Sequence, residues 1–599
     1  MKTVRNTHII CTMGPVVASV DMARSLIRKG MNIARFNFSH GNHEEHGRRI
    51  AMVRQASEAE GIPVALMLDT KGPEIRTGVV KGGGCIELIR GEPYDVIAES
   101  DAARLFGEEG AFTQKGRLTV SYTQLADDVK AGARILIADG LFALAVNAIE
   151  GRVIKCTVEA GGEIGSKKNV NILGVHTRLP AMSEQDKEDL LFGHQQGMDY
   201  VSASFIRKAS DVTDIQKYLA AIGSDMQVIS KIEDDEGLSN IEDIIRVSAG
   251  VMVARGDLGV QIPPEQVPIE QKRIITLCNL KGKPVITATQ MLDSMIRNPS
   301  PTRAEAGDVA NAILDGADCV MLSGETANGA YPELAVEMMD RIARTAEASE
   351  AYEKTLAQRR RLLNRHERDL SHVIAEAATL TADSIEAVCI VTPTLTGRTA
   401  QLISKYRPKL PIVAAVCDEK VRRRLLLWWG VSPVSVQKEN DSEAVIQGCI
   451  SAVIKEGFAR TTEKVVITAG LPLGSPLTAN CVRVHLIGAV LRRGAQGFGG
   501  RACGRIVRAV NLQEAATVLK KKGGEILVTH TLDESFTPII RIVDGVILEG
   551  ASELPEDYVI NINPNIVYVE QVPDAMRFFE EHITVTIDGA ERTVYEGMM

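Results

Sequence analysis

The sequence lacks cysteine pairs. Its ten cysteines stand singly along the chain, and none forms a CxxC motif. We therefore predict neither a zinc site nor a disulfide framework. Residues 1–8 are polar and lack the apolar core of a secretory signal. Reduced thiols in a cytoplasmic protein are the interpretation that fits both absences.

The sequence also lacks an excess of positive charge. It has 68 Lys and Arg residues against 77 Asp and Glu residues, which gives a net charge of −9. This balance argues against a general nucleic-acid-binding protein. A charge-free stretch at 465–482 is long enough to span a bilayer, but it contains two prolines, two glycines and an asparagine. These residues disfavour a membrane helix, so no membrane association is expected.

What the sequence does contain is a long series of short apolar runs. Its 599 residues are enough for about three to five domains. In segments 1–70 and 171–345 these runs alternate with amphipathic helical patterns, which is typical of βα units. Eight such units predict an α/β fold, a (β/α)8 TIM barrel. The candidate strands lie at 9–11, 32–36, 65–68, 200–203, 227–230, 251–254, 285–287 and 319–322.

The third βα unit is interrupted by an insertion. Residues 71–170 carry short alternating patterns, including 135–137 and 153–158. Such patterns predict an inserted all-β domain. Because the insertion follows a barrel strand, it would lie over the carboxyl ends of the strands as a lid.

Two further modules follow the barrel. Residues 346–494 contain an α/β pattern with strands at 387–391, 412–416 and 465–468. The glycine-rich segment 494–500 is predicted to be a flexible linker. Residues 495–599 would then form a separate final module.

Three charged residues stand at or just beyond the ends of predicted barrel strands. Lys231 and Glu233 follow the apolar run 226–229, and Asp257 follows the run 250–253. In a parallel barrel, the carboxyl ends of different strands meet at one mouth. Two carboxylates and one ammonium group there suit a divalent metal ion and an anionic substrate.

Six short motifs occur in the first four fifths of the chain. They are ARFNFSHG at 34–41, LDTKGPEIRTG at 68–78, SKIE at 230–233, ARGDLG at 254–259, ATQML at 288–292 and MLSGET at 321–326. In residues and in order they closely resemble the motifs of the pyruvate kinase family. That family transfers the phosphoryl group of phosphoenolpyruvate to ADP, giving pyruvate and ATP in the final step of glycolysis. The resemblance implies the barrel, the β lid, an α/β regulatory domain and a cytoplasmic homotetramer.

The resemblance assigns roles to the charged residues of the barrel mouth. Lys231 is implied to contact the phosphoryl group in flight, and Glu233 and Asp257 are implied to hold Mg²⁺ or Mn²⁺. Arg35 and Arg76 are expected at the barrel mouth, where they would bind phosphate oxygens. A guanidinium suits that task because it is permanently charged and fork-shaped.

Backbone and hydroxyl groups complete the expected substrate site. The amides around Gly256 and Asp257, with the Thr289 hydroxyl, would hold the substrate carboxylate, and glycine permits close approach of a ligand. Thr289 and Ser323 resemble family residues near the carbon that is protonated in the second step. Which of these hydroxyls, or a water bound to one, delivers the proton stays open.

A monovalent cation site is implied beside the substrate. Asn37, Ser39, Asp69 and Thr70 offer oxygen ligands with one formal charge, and by resemblance they form the K⁺ site. Glu74 supports this, because an acidic residue at that position accompanies K⁺ dependence in the family. A lysine there accompanies independence.

ADP is expected to enter between the barrel and the lid. Lys167 and Lys168 stand where the lid rejoins the barrel, and one of them could reach the nucleotide phosphates. We take Lys168 and Arg76 as the candidate nucleotide-binding residues. Solvated hinge lysines are an equal alternative. Asp234 stands where the family has asparagine, so we expect this extra carboxylate to shift the metal preference.

The last two modules carry weaker signals. Thr394, Thr396, Gly397, Arg398 and Thr399 open a helix after a strand, which is a phosphate-binding arrangement. They resemble the family loop that grips a phosphorylated allosteric effector, although an inert helix cap is the alternative.

The final module resembles the swivelling phosphohistidine domain of phosphoenolpyruvate-using synthases. It lacks the Thr-Ser-His motif near 545–550, and His530 lies too early to replace it. A structural or assembly role is therefore expected for this tail.

Two other functions compete with the kinase. One is a barrel lyase or aldolase that acts on pyruvate, which the inserted lid and Lys231 disfavour. The other is a non-catalytic effector-binding paralogue, which the intact Lys231, Glu233 and Asp257 disfavour. An assay of ADP-dependent pyruvate formation from phosphoenolpyruvate, with and without K⁺, separates all three.

Overall fold

The computed structural model describes residues 4–363, 369–439, 441–460, 463–470, 479–519 and 525–597. They belong to two compact units. The barrel unit comprises Arg5–Arg365 with Leu426–Trp429, and the carboxy-terminal unit comprises Met1–Val4, His366–Leu425 and Gly430–Met599. Within the described ranges, no helix is both long and apolar enough to cross a membrane.

A closed barrel of eight parallel strands forms the centre of the barrel unit, among the residues that the structure describes. This confirms the predicted TIM barrel and the eight candidate strands. The strands lie in the hydrogen-bonded order His8–Thr12, Cys319–Leu322, Val285–Ala288, Gly250–Ala254, Gln227–Ile232, Tyr200–Ala203, Ala65–Asp69 and Met31–Asn37.

The barrel strands form here because most of their side chains are apolar and both faces of the sheet are covered. Every residue of Ala65–Asp69 and of Gly250–Ala254 is buried, as expected for a parallel sheet covered by helices. Some of the surrounding helices begin at side-chain caps. Ser183 and Asp186 form a capping box, and so do Thr302 and Glu305.

The helices of the barrel unit alternate with these strands. Glu350–Leu363 lies in the barrel unit, whereas the sequence-based boundary places it in the domain 346–494. The α-helices that surround the barrel are Val20–Arg28, His43–Glu60, Glu184–Gln195, Ala209–Ala221, Asp235–Ser239, Ile241–Val247, Arg255–Gln261, Val267–Lys281, Arg303–Asp315, Gly324–Ala327, Pro332–Glu347 and Glu350–Leu363. Short 3₁₀ turns lie at Pro264–Gln266 and Asp293–Ile296.

The inserted lid is built mainly from β-strands around its own apolar core. It also has the short helices Glu99–Phe106 and Leu125–Asp128 and a 3₁₀ turn at Glu108–Ala111. A small second sheet pairs Gly162–Gly165 with Cys85–Leu88. The main sheet has the order Ile75–Arg76, Asn169–Leu173, Arg134–Ile137, Phe142–Glu150, Val153–Ala160, Pro93–Ala98 and Arg117–Val120.

The carboxy-terminal unit contains a five-stranded sheet among its described residues. It includes the strands predicted from the alternating pattern, and its last strand runs antiparallel. The order is Val431–Ser435, Ile412–Val416, Cys389–Pro393, Lys464–Ala469 and Cys481–Leu486. The helices of this region are Leu370–Ser384, Arg398–Lys405, Glu419–Arg424 and Ser442–Lys455. A 3₁₀ turn at Leu425–Leu427 spans the boundary between the two units along the chain.

A second sheet of the carboxy-terminal unit holds the tail. Its strands have the order Val490–Arg493, Thr593–Glu596, Thr584–Asp588, Arg501–Arg508, Glu525–Thr529, Gly545–Leu548, Val567–Glu570 and Gln496–Phe498. The helices that accompany it are Leu512–Val518, Thr537–Ile540, Glu556–Ile562 and Ala575–Phe578, with a 3₁₀ turn at Glu534–Phe536.

The predicted linker at 494–500 is wrong. Gln496–Phe498 is a strand that pairs with Val567–Glu570. A Cβ atom on Gly497 would lie 2.7 Å from the Gly589 carbonyl oxygen and 2.8 Å from that of Tyr568. The glycine therefore serves the close approach of neighbouring backbones instead of flexibility.

Candidate active site

The Lys231 ammonium group lies buried in the mouth of the barrel. It belongs to the strand Gln227–Ile232, and its Nζ lies 2.8 Å from Glu233 Oε1 and 3.2 Å from Asp69 Oδ1. Nζ also donates to Ser204 Oγ at 2.7 Å. Burial alone would lower the pKa of Lys231, but the carboxylates of Asp69 and Glu233 outweigh burial and raise it. The ammonium group therefore keeps its proton at neutral pH.

Arg35 reaches the same cluster from the strand Met31–Asn37. Its Nε donates to Asp69 Oδ2 at 2.7 Å, and its Nη1 donates to Thr12 Oγ1 at 2.9 Å. Burial would raise the pKa of Asp69, whereas Arg35 and Lys231 together lower it. The carboxylate is thus held ionised between two cations.

Glu233 lies just beyond the end of the Lys231 strand. Its second oxygen, Oε2, accepts a hydrogen bond of 2.6 Å from the Phe205 backbone N–H. Burial raises the pKa of Glu233 to about 7, although Lys231 acts against this rise and the negative charge of Asp257 adds to it. Glu233 is buried and Asp257 is exposed, and a dication bound between them would offset the repulsion of the two carboxylates.

A cleft between barrel and lid contains these carboxylates. Glu233, Asp234 and Asp257 line it from the barrel, and Glu74 and Asn169 line it from the lid. Carboxylate oxygens are the donors that Mg²⁺ prefers, and it usually takes only one or two from the protein. Glu233 and Asp257 therefore fit a divalent cation of that kind. Burial also raises the pKa of Asp234, to about 6.

Gly256 and Thr289 lie together at the carboxyl ends of adjacent strands. The Gly256 N–H donates to Thr289 Oγ1 at 2.9 Å, and that hydroxyl donates to the Ala288 carbonyl oxygen at 2.7 Å. Thr289 has a positive φ of 64°, which is uncommon for a β-branched residue. Strained backbone of this type clusters at functional sites.

Arg255 supports this corner, and sequence reasoning did not single it out. Its guanidinium donates to the carbonyl oxygens of Ala288 and Thr289, at 3.2 and 2.6 Å, and pairs with Asp308 at 2.6 Å. The one sequence signal for Arg255 was its position beside Gly256 in the motif ARGDLG at 254–259.

Ser323 follows the last barrel strand, Cys319–Leu322. Its backbone N–H donates to Glu325 Oε2 at 2.7 Å. Its Oγ is buried and has no hydrogen-bond partner among the described residues. Such an orphaned hydroxyl is suited to a ligand or a bound water.

The four residues expected to bind K⁺ lie at the ends of two adjacent strands, where Asn37 and Asp69 are the last strand residues and Ser39 and Thr70 follow. Asn37 and Asp69 are directly paired in the strand register. Asn37 Oδ1 accepts from the Ser39 N–H at 3.1 Å, and Thr70 Oγ1 accepts from the Ser204 N–H at 3.1 Å. The sequence did not reveal that the Asp69 carboxylate is also shared by Arg35 and Lys231.

Arg76 belongs to a strand of the lid sheet. It ends the strand Ile75–Arg76, because the chain has left the barrel after Asp69. Its Nε donates to Glu74 Oε2 at 2.9 Å, and its Nη1 donates to the Lys167 carbonyl oxygen at 2.8 Å.

Lys168 lies beside this strand on the return path of the lid. Its backbone N–H donates to Thr77 Oγ1 at 2.9 Å, and its side chain is exposed.

The expected effector loop lies in the carboxy-terminal unit. The Gly397 N–H donates to Thr394 Oγ1 at 3.0 Å, and Gly397 has a left-handed φ of 86°. The helix Arg398–Lys405 begins directly after it. Thr396 and Arg398 are exposed at this helix start, whereas Thr394 and Thr399 are buried.

A buried ammonium group, clustered carboxylates and an arginine at the mouth of a parallel barrel are typical of enzymes that act on small anionic substrates. The lid above the mouth can exclude water from the reaction. The fold and the site therefore define a barrel enzyme of this class.

Comparison with known proteins gives the family. The family model "Pyruvate kinase, barrel domain" matches residues 4–336, and "Pyruvate kinase, alpha/beta domain" matches residues 372–485. The chain is similar to the pyruvate kinases of Geobacillus stearothermophilus and Sporosarcina psychrophila, with 44% and 42% identity over 597 residues and 99% of each chain. The chain therefore belongs to the pyruvate kinase family. It is a phosphotransferase that uses phosphoenolpyruvate and ADP and forms pyruvate and ATP.

A solved structure agrees with this assignment. The crystal structure of a pyruvate kinase from Cryptosporidium parvum aligns with a TM-score of 0.76 and 38% identity. It covers 80% of this chain and 96% of its own. The bacterial relatives align along nearly the whole chain, so the alignment with them extends into the tail.

Proposed function

We propose that phosphoryl transfer takes place at the barrel mouth, with Lys231 as the cation that stabilises the phosphoryl group. The observation that carries this proposal is the buried Nζ of Lys231, which lies within 3.2 Å of both Asp69 and Glu233. In a loose transition state, negative charge spreads over the phosphoryl oxygens, and a preorganised cation lowers its energy. Arg35 is proposed to bind the same oxygens from the opposite side of Asp69.

Glu233 and Asp257 are proposed to hold Mg²⁺ or Mn²⁺. Pyruvate kinases need a divalent cation and K⁺, and both carboxylates line one cleft. When bound, the dication supplies Lewis-acid polarisation of substrate oxygens. The two carboxylates would hold it, and the Phe205 N–H fixes one oxygen of Glu233.

The backbone around Gly256 and Asp257, with Thr289, is proposed to bind the substrate carboxylate. The Gly256 N–H donates to Thr289 Oγ1 at 2.9 Å, so both groups lie together at one place, which supports this proposal. Thr289 or Ser323 is proposed to be near the carbon that accepts the proton. The buried Ser323 hydroxyl, which has no partner among the described residues, supports its candidacy.

Asn37, Ser39, Asp69 and Thr70 are proposed to bind K⁺. Their oxygens lie at the ends of adjacent strands and carry one negative charge. Arg76, in a lid strand, and Lys168, beside that strand, are proposed to contact the ADP phosphates.

Regulation by a phosphorylated metabolite is proposed for the carboxy-terminal unit. The exposed Thr396 and Arg398 at the start of a helix suit a phosphate group, with Thr394, Gly397 and Thr399 shaping the loop. Activation by a sugar phosphate or a nucleoside monophosphate, lost in Arg398→Ala, would support this. Kinetics that do not change when either candidate activator is added at saturating concentration would oppose it.

A homotetramer in the cytoplasm is proposed as the working form. An apolar face in the carboxy-terminal unit supports self-association, because Leu370, Val373 and Leu380 are 52%, 46% and 53% exposed on one helix. Val484 and Leu486 are exposed on the adjacent edge strand Cys481–Leu486. An open strand edge beside apolar side chains favours pairing with a second copy. A monomeric mass for wild type in light scattering would exclude the proposal.

The test of the proposed site is the variant Glu233→Gln. We expect the Mn²⁺ affinity of the substrate-free protein and kcat/KM each to fall by about tenfold or more, because a ligand carboxylate is lost. Glu242→Gln, on the helix Ile241–Val247, is the matched control and should resemble wild type. Unchanged Mn²⁺ affinity in Glu233→Gln would refute the metal role.

A further inference from the structure

The short loop 204–207 contacts both main groups of the active site. Ser204 Oγ accepts a hydrogen bond of 2.7 Å from Lys231 Nζ. The Phe205 N–H donates to Glu233 Oε2 at 2.6 Å. Phe205 has a left-handed φ of 56°, which a bulky residue rarely adopts. This strained conformation aims the N–H at the carboxylate, so the loop orients Glu233 through its backbone.

The same loop holds the chain segment by which the lid returns to the barrel. Arg207 Nη1 donates to the Thr177 carbonyl oxygen at 2.9 Å. Its Nη2 donates to the Leu179 carbonyl oxygen at 2.7 Å. The guanidinium is buried, and its Nε lies 3.4 Å from Asp211 Oδ2. One planar side chain thus bridges two carbonyl groups of the return segment 177–180.

The segment by which the chain leaves the barrel for the lid also packs on this loop. A Cβ atom on Gly72 would lie 2.8 Å from Ser204 Cβ and 2.9 Å from Phe205 Cδ2. Asp186 fixes this segment, because its Oδ1 accepts a hydrogen bond of 3.0 Å from the Gly72 N–H. Both crossings between barrel and lid therefore contact the loop that holds Lys231 and Glu233.

We propose that Arg207 is a positioning residue that couples the lid to the metal-binding carboxylate. When Arg207 fixes the return segment, loop 204–207 is held in the strained conformation that aims the Phe205 N–H at Glu233. When the lid moves, the carbonyl groups of 177–180 move with it and pull on the same loop through Arg207. This proposal rests on the proposed role of Glu233 as a metal ligand.

The bridge needs an arginine for a geometric reason. Its planar fork donates in two directions at once, and its position is fixed by a third contact with Asp211. A lysine keeps the charge but presents one compact ammonium group on a flexible stem. Arg207→Lys should therefore loosen the bridge without leaving a buried carboxylate unpaired, because the ammonium group can still pair with Asp211.

The experiment compares Arg207→Lys with Arg54→Lys in the full-length protein. Arg54 is a matched control, because its Nη2 also donates to two consecutive carbonyl oxygens, those of Gln196 and Gly197, at 3.1 and 3.0 Å. Those carbonyls belong to the barrel and not to a lid crossing. Three measurements are made: amide hydrogen exchange across 70–78 and 167–180, Mn²⁺ affinity without substrates, and steady-state kinetics that give kcat and KM separately.

We expect Arg207→Lys to raise hydrogen exchange in both lid crossings and to weaken Mn²⁺ binding by about tenfold, the usual effect of removing support from a metal ligand. The value of kcat should fall by a similar factor, while KM for phosphoenolpyruvate changes little. Arg54→Lys should give results near wild type in all three measurements. Faster exchange with unchanged Mn²⁺ affinity would overturn the coupling, and so would equal losses in the two variants.

A second variant keeps the proposal testable if Arg207→Lys does not fold. Gly72→Ala places a methyl group against Ser204 and Phe205 from the other crossing, so it should also weaken Mn²⁺ binding. Gly61→Ala is the control, because Gly61 has a φ of 65° and a Cβ there meets no neighbour within 4 Å. This control should bind Mn²⁺ like wild type. Wild-type Mn²⁺ affinity in Gly72→Ala would count against the loop. Glu233→Gln separates the two proposals: if it binds Mn²⁺ normally, the metal site itself is wrong. If Glu233→Gln loses Mn²⁺ affinity but the Arg207 and Gly72 variants do not, the metal site stands and only the coupling is wrong.

Discussion

Lys231 Nζ lies 2.8 Å from Glu233 Oε1, and both groups are buried at the mouth of one barrel. A buried ion pair of this kind is costly to break from one side, because the remaining charge is left without compensation. Lys231 is therefore held charged and in place before the substrate arrives. Preorganised charge is the form of catalysis that phosphoryl transfer needs most.

The first prediction concerns K⁺. When K⁺ is replaced by tetramethylammonium at equal ionic strength, kcat should fall at least about tenfold, or about 1.4 kcal/mol in the barrier. The reason is that a bulky cation cannot approach the oxygens of Asn37, Ser39, Asp69 and Thr70. Glu74→Lys should be much less dependent on K⁺ than wild type. Equal wild-type rates in the two salts would reject this cation site.

The second prediction concerns Asp234, which lines the same cleft as Glu233 and Asp257. Asp234→Asn should raise the Mg²⁺ concentration for half-maximal activity by about threefold to tenfold, because one nearby negative charge is removed. Asparagine still caps the helix Asp235–Ser239, so stability should hardly change. Asp243→Asn removes an exposed charge, paired with Arg246 at 2.9 Å, and is the control. Identical Mg²⁺ curves for Asp234→Asn and wild type would dismiss an electrostatic role.

The third prediction concerns Glu305 and the pH dependence of stability. Burial would raise the pKa of Glu305, but hydrogen bonds from Ser294 and Thr302 outweigh burial and lower it. A carboxylate with a lowered pKa stabilises the folded state above the unfolded pKa of about 4.3, and this contribution is lost as pH falls through the folded pKa.

Glu305→Gln should therefore lower the thermal midpoint at pH 7, by an amount equivalent to about 1–2 kcal/mol, because the amide loses one acceptor oxygen. The difference from wild type should stay constant between pH 8 and pH 6 and should shrink below pH 4.3. Differential scanning calorimetry across this range is the measurement. A difference that does not change with pH would argue against the charged form.

The barrel could be predicted from sequence because its signal is local. Each strand is a short run of apolar residues that are buried on both faces, so the pattern and the structure express the same requirement. The charged residues at the strand ends could be placed for the same reason. Lys231 and Asp69, which lie on different strands, come together once the barrel closes.

The prediction of a linker at 494–500 was wrong because glycine has two physical uses. It allows flexibility, but it also allows backbones to approach, and only the tertiary structure shows which applies. Here Gly497 lies where a Cβ would contact the backbone of Tyr568 and Gly589. No local pattern distinguishes this case from a linker.

The contacts of Arg207 could not be predicted either. Its partners, Thr177 and Leu179, are bound through backbone carbonyl groups, which every residue has. Side-chain identity in the return segment therefore carries no signal of the contact. The same holds for the Phe205 N–H that binds Glu233.

The most direct measurement is the turnover of Lys231→Met with phosphoenolpyruvate, ADP, Mg²⁺ and K⁺ at saturating concentrations. The account predicts that kcat for pyruvate formation falls by about 10³-fold or more, since a cation of this role is worth about 10³–10⁵ in rate. The circular dichroism spectrum should match wild type. A correctly folded Lys231→Met variant that forms pyruvate at a rate close to wild type would contradict the account.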